Sequence, residues 1–179
     1  MEEKSDRALV ETAVGGDVGS FTELCERYYP AMVAIAHSIL GDRHLAEDAA
    51  QESFAKACQV LSQLRNKDRF GGWLAAINRN VAKDMARTRE RVSTTDDPFV
   101  VADEQPEDDS SEAVRDAIRK LSAPVRELIY LRYYDGMTYE EISAVLEISQ
   151  QAINGRLRRA KRQIAKTLRR SGFFTEVQR

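Results

Sequence analysis

Apolar residues recur at spacings of three and four along most of the chain, and that periodicity predicts helix almost everywhere. Leu9, Val10, Ala13 and Val14 make a short amphipathic helix that Gly15 and Gly16 stop. The clearest stripe follows, in Phe21, Leu24, Cys25, Tyr28, Met32, Ile35, Ala36, Ile39 and Leu40, with Pro30 as a kink and Gly41 as the stop. After the Asp42 turn, a third helix is expected to bury Ala50, Phe54, Ala57, Cys58, Leu61 and Leu64. Its Asp48, Glu52, Ala55 and Gln59 share a face turned away from that stripe. A charged loop, Arg65 to Arg69, leads to a fourth helix with Phe70, Leu74, Ile77, Val81 and Met85 inward. Arg79, Lys83 and Arg87 form an outward ridge on it.

The pattern lapses over residues 93–111, STTDDPFVVADEQPEDDSS, where Pro98, Pro106 and dense acid predict an extended, flexible linker. Helical spacing then resumes. Ala117, Ile118 and Leu121 mark one helix, and Val125, Leu128, Ile129 and Leu131 mark another that carries Pro124 in its first turn and ends at Asp135 and Gly136. Thr138 and Glu141 stand in capping-box relation before a short helix burying Ile142, Val145 and Leu146. Ser149 is the N-cap expected for a last helix that buries Ile153, Leu157, Ala160, Ile164 and Leu168. Nothing alternates with period two. The fold class is therefore all-α, with two small helical domains, 1–92 and 112–172, and a short tail, 173–179.

Charge changes the picture more than composition does. A net charge of −2 argues against a nucleic-acid binder until its distribution is seen. Residues 1–92 carry 13 basic and 14 acidic side chains, the linker none and 7, and residues 112–179 carry 14 and 8. An acidic tether thus separates a near-neutral domain from a basic one. No run approaches the ~20 apolar residues of a membrane span, and the N-terminus lacks the form of a signal peptide, so a cytoplasmic protein is expected. Cys25 and Cys58 form no C-x-x-C pair and read as small core residues, with no disulfide framework, metal site or cofactor expected.

The basic domain has the form of a helix-turn-helix, two capped helices separated only by Glu147 and Ile148. A reading helix needs polar side chains near its N-terminus for base edges and flanking cations for phosphates. Gln151, Asn154, Arg158 and Arg159 suit the first task, and Arg156, Lys161, Arg162 and Lys166 the second. Gly155 in mid-helix costs ~1 kcal/mol relative to Ala and is compatible with close approach of DNA to the backbone.

The segment YYDGMTYEEISAVLEISQQAINGRLRRAKRQI resembles the promoter-reading fourth domain of sigma factors. FTELCERYYPAMVAIAHSILGDRHLAEDAAQESFAKA, followed by FGGWLAAINRNVAKDMARTRER, resembles their second domain. The order and the acidic linker are similar to the extracytoplasmic-function (ECF) group of sigma-70 factors. That resemblance implies a transcription-initiation subunit, not an enzyme, whose partners are core RNA polymerase, promoter DNA and an inhibitory anti-sigma factor. It assigns Asp48, Gln51 and Glu52 to docking on the polymerase clamp. It assigns Arg65, Asn66, Lys67 and Asp68, with Asn80 and Lys83 nearby, to capture of an unstacked base of the −10 element. It assigns Ser149, Gln151, Asn154, Gly155, Arg156, Arg158, Arg159 and Arg162 to the −35 element. Members usually have Gly where this chain has Glu147.

Two other readings compete. A free-standing DNA-binding regulator would bind duplex alone, usually on a symmetric site. A helical metal-dependent hydrolase using His37, His44, Asp42 and Asp48 lacks any H-E-x-x-H or paired H-D arrangement, Gly-rich phosphate loop or nucleophile elbow.

Overall fold

The computed structural model describes residues 4–93, 109–171 and 173, and every regular element among them is helical. Ser5 caps α1 (Asp6–Val14) by accepting the Ala8 N–H. Asp17 caps α2 (Val18–Leu40), accepting from Gly19 and Ser20, and α2 remains helical through Pro30 to Gly41. There the chain turns with φ 69°, a left-handed conformation that glycine adopts without Cβ strain. Asp42 accepts the Leu45 N–H to open α3 (Arg43–Val60), which returns antiparallel to α2. Two tight turns, Leu61–Gln63 and Lys67–Arg69, then lead into α4 (Phe70–Ser93).

These four helices form the first module. Leu9, Leu24, Met32, Ile35, Phe70 and Leu74 are fully buried at its centre, each removing from water an area that stabilises by about 2 kcal/mol. A polar bridge crosses the same core. The Asn78 amide donates to the Met32 carbonyl at 2.8 Å, and Ser53 Oγ lies 3.0 Å from its Oδ1, so α2, α3 and α4 are tied at one point. On the outside, Asp6 pairs with Arg27 at 2.6 Å and accepts from the Tyr28 hydroxyl, pinning α1 to α2.

The second module comprises α5 (Asp109–Arg119), α6 (Ala123–Ile129), α7 (Tyr139–Leu146) and α8 (Gln150–Arg170). Helix α5 begins inside the stretch read as linker. The rest of that stretch, 94–108, lies outside the described residues, as does most of the tail read at 173–179. After α6 the backbone widens into a single π turn, Tyr130–Tyr134, which the apolar spacing did not foretell. The expected box at α7 is present, with Thr138 Oγ1 accepting the Glu141 N–H and the Glu141 carboxylate accepting the Thr138 N–H at 2.6 Å.

Two expectations require correction. Cys58 is exposed rather than core: it sits on α3 about 100° from the centre of the Ala46, Ala50, Ala57 and Leu61 stripe, at the flank of the helix. Arg79 is not part of an outward ridge. It turns toward the second module, where its guanidinium meets Glu127 at 2.7 and 3.0 Å. Around that pair the two modules share one continuous apolar cluster, from Leu9 through Val81 and Ala82 to Leu128, Ile142, Ile153 and Ala160.

Candidate nucleic-acid interface

Helices α7 and α8 are joined by three residues, Glu147, Ile148 and the N-cap Ser149, and the geometry of the turn depends on Glu147. Its φ of 54° makes it the non-glycine residue in left-handed conformation among the described residues. Ser143 Oγ donates to the Ile148 carbonyl at 2.7 Å and holds the turn, and Ser149 accepts the Ala152 N–H to start α8. With Ile153, Leu157, Ala160 and Leu168 buried, the opposite face is fixed in solvent. Gln151, Asn154, Arg158 and Arg162 form one exposed stripe there, and Arg159 flanks it. Gly155 lies on the stripe with open space where a Cβ would stand. Arg156 departs from expectation: it is half-buried and points toward the core edge of α8, off the stripe. Lys161 sits 5.0 Å from the Tyr133 ring centroid, and that contact raises its pKa.

In the first module, Asp48, Gln51 and Glu52 are all exposed on α3, together with Ala55 and Gln59. Glu52 pairs with Lys56 one turn on, at 2.7 Å, and both side chains are half in water, so this pair contributes under about 1 kcal/mol. Asp48 and Gln51 complete an acidic and polar face.

The residues read as a single −10 pocket are spread out. Arg65 and Asn66 are exposed, and Asn66 caps the Lys67–Arg69 turn by accepting the Asp68 N–H. Lys67 reaches Glu11 at 3.4 Å, and Asp68 pairs with Arg7, which holds its carboxyl below the ordinary value. Helix α1 therefore organises this loop, a role no local sequence signal announces. Asn80 and Lys83 are exposed on α4, but ten and more residues beyond its start place them ~15 to 20 Å along the helix from the loop. They line a different stretch of surface. Asn80 borders a shallow cleft of about 300 Å³ with Lys56, Gln59 and Asp84.

The second module covers part of the loop. Glu147 pairs with Arg69 at 2.8 Å, and its carboxylate occupies the space where a Cβ on Gly72 would stand. Arg126 adds a bond to the Ser38 carbonyl at 2.6 Å, and Arg43 reaches the Tyr134 hydroxyl at 3.3 Å. Arg69 belongs to the loop, Arg65 to Arg69, that the family resemblance assigns to the −10 element, but its pairing with Glu147, like that of Arg79 with Glu127, was not legible in the sequence. Each pair is separated by 48 residues or more, and only their proximity in the fold reveals them.

No group of three or more His, Cys, Asp or Glu side chains among the described residues could hold a metal ion, and no described helix is long and apolar enough to cross a membrane. Comparison with known proteins accounts for both modules. The family model for sigma-70 region 2 matches residues 24–92, and that for sigma-70 region 4 matches 111–164. The RNA polymerase sigma-H factor of Pseudomonas aeruginosa is 29% identical over 94% of this chain and 96% of its own length. The ECF RNA polymerase sigma factor SigW of Bacillus subtilis is 28% identical over 86% and 91%. Among solved structures, CnrH in complex with the cytosolic domain of CnrY aligns with a TM-score of 0.59 at 27% identity, over 92% of this chain and 97% of that one. With both regions present in order, and relatives matched over nearly their full length, this chain belongs to the sigma-70 family of RNA polymerase sigma factors, in its ECF group.

Proposed function

We propose that this alternative sigma factor divides promoter reading between its modules, with α8 on the −35 element, the first module on the −10 element, and α3 on core polymerase. The observation that carries the reading is the capped α8, which holds Gln151, Asn154, Arg158, Arg159 and Arg162 in solvent while its other face is packed. That arrangement supplies bidentate donors for base edges and cations for phosphates. Ser149 and Arg156 serve differently in this scheme. Ser149 fixes the helix start, and Arg156 contacts the backbone from the edge of the groove.

On the first module, Arg65 and Asn66 face the extruded base, Lys67 and Asp68 keep their loop in place through α1, and Asn80 and Lys83 follow the strand further along. Unstacking a base costs a few kcal/mol, which pocket contacts must offset. Asp48, Gln51 and Glu52 dock on a basic surface of the polymerase.

The closed arrangement must open for this work. Even ten base pairs between the two elements span about 34 Å, whereas Arg69 and Glu147 are in direct contact. An inhibitory anti-sigma protein that favours the closed form is the expected regulator, and CnrH offers a related case of a factor held by another protein. The chain itself catalyses no reaction, and its partner polymerase puts it in the cytoplasm.

The test is reconstitution with core polymerase on a randomised promoter library. Arg158→Ala or Arg159→Ala should cost about 1 to 3 kcal/mol at the cognate −35 sequence and relax its base preference. Unaltered preference would remove α8 as the reader. Charge reversal at Asp48 and Glu52 should weaken capture of core enzyme, and unaffected pull-down would put the docking face elsewhere.

A further inference from the structure

Helices α2 and α3 form an antiparallel hairpin bent at Gly41 and Asp42. Residues equidistant from such a bend face each other, and Tyr29 with Phe54 marks the register, their rings stacked at 6.4 Å between centroids. Cys25 and Cys58 stand one helical turn further from the bend, four residues from Tyr29 and Phe54 respectively, so the same side of the hairpin brings them opposite one another. Both are free thiols, Cys25 half-buried and Cys58 exposed. Burial pushes the Cys25 thiol up to about 11, and the next largest cause is Cys58 itself, an independent sign that the two groups are neighbours. Fully buried alanines at 46, 49, 50 and 57 keep α3 free of bulk along its packed face, which favours the short backbone separation a disulfide needs.

We propose that Cys25 and Cys58 are a dithiol modification site that takes a small-molecule disulfide as oxidant and closes into a cross-link between the open ends of α2 and α3. The exposed Cys58 reacts first. Its thiolate attacks one sulfur of the small disulfide, whose S–S bond breaks, and one thiolate leaves and takes up a proton. Cys25 then gives its proton to solvent and attacks the Cys58 sulfur, expelling the second small thiol. Two protein thiols are oxidised and one external disulfide is reduced to two thiols. The second step is slow at neutral pH because Cys25 is rarely ionised there. Closure should therefore accelerate with rising pH, about tenfold per unit while Cys25 remains mostly protonated.

The site is independent of promoter reading, and its test uses the full folded chain and oxidised glutathione between pH 7 and 9, with acid quench and non-reducing peptide mapping. The expected product is an intramolecular Cys25–Cys58 link, formed faster at higher pH. Cys25→Ser should halt at a glutathione adduct on Cys58, and Cys58→Ser should leave Cys25 at least about tenfold less reactive toward the same reagent. Cys58 is exposed, so that variant is expected to fold, and circular dichroism checks it. If the unaltered chain accumulates glutathione on Cys58 while Cys25 stays free to alkylate, or links only between chains, the proposal is overturned.

Discussion

The two modules are held together by different means. The first is stitched across its own sequence: Asn78 bonds to Met32, and Asp6 to Arg27 and Tyr28, between separate helices, while Arg7 on α1 pairs with Asp68 in the turn before α4. In the second, the described hydrogen bonds are mostly local, in the Thr138–Glu141 box, the Ser149 cap, the Ser143 tie, and Arg132 to the Met137 carbonyl. Its far-reaching polar bonds run outward, from Arg126 and Glu127 to the first module. A module tied internally keeps its shape when its neighbour departs. A module made of capped helices and a shared apolar face relies more on whatever surface it rests against, and that difference fits the proposed exchange of a packed state for DNA.

The largest test of this contrast is Asn78→Ala. It removes the side-chain donor to the buried Met32 carbonyl and the tie to Ser53, which keeps its bond to the Ala49 carbonyl, at a cost of about 3 kcal/mol, seen as a lower urea midpoint for the whole chain. Glu127→Ala comes next. The Glu127 side chain is 12% exposed and the Arg79 side chain 29%, so losing the carboxylate should weaken the junction by about 2 kcal/mol. Small-angle scattering should then show a larger radius of gyration with unfolding of the first module unchanged. An unchanged radius would mean that apolar packing, rather than the ion pair, holds the modules together.

Thr138→Ala should cost about 1 kcal/mol, confined to α7 and α8 and read by amide exchange. Gly155→Ala has the opposite sign. There is room for the methyl group, so α8 gains up to about 1 kcal/mol in stability, while −35 binding falls if DNA approaches the backbone there. Acidification gives the smallest effect. Hydrogen bonds from Thr138 hold Glu141 below its ordinary value of 4.5, so the stabilisation is present above that value and is lost as pH falls through the lower folded one. Amide protection at the start of α7 should fall in that acid range before protection in the core of the first module does.

Much of this architecture could be read along the chain because its signals are local. The stripe from Leu24 to Ile35, the stop at Gly41, the box at Thr138 and the cap at Ser149 each depend on neighbours within one or two turns. The exposed stripe on α8 follows from the same periodicity. What local pattern could not supply was partner choice. Arg79 has the spacing of a surface ridge, and only tertiary packing turns it to Glu127. Cys58 follows Phe54 at a core-like interval, yet the hairpin's flank leaves it in water. Lys67 and Asp68 read as ligands for DNA, whereas α1 already engages them. Their distance from Asn80 along α4 was a matter of helix rise, which residue spacing contained and the pocket picture overlooked.

Glu147 carries a consequence for selectivity. While packed, its charge is neutralised by Arg69; in the opening proposed above, the carboxylate would stand at the entry to α8 and oppose the DNA phosphates there. Counterion release from those phosphates drives sequence-independent adhesion, so a fixed negative charge there lowers background affinity and flattens the salt slope. A larger fraction of the remaining affinity must come from the correct bases. A glycine would relax the turn and, by the same act, make the protein stick more readily to arbitrary duplex.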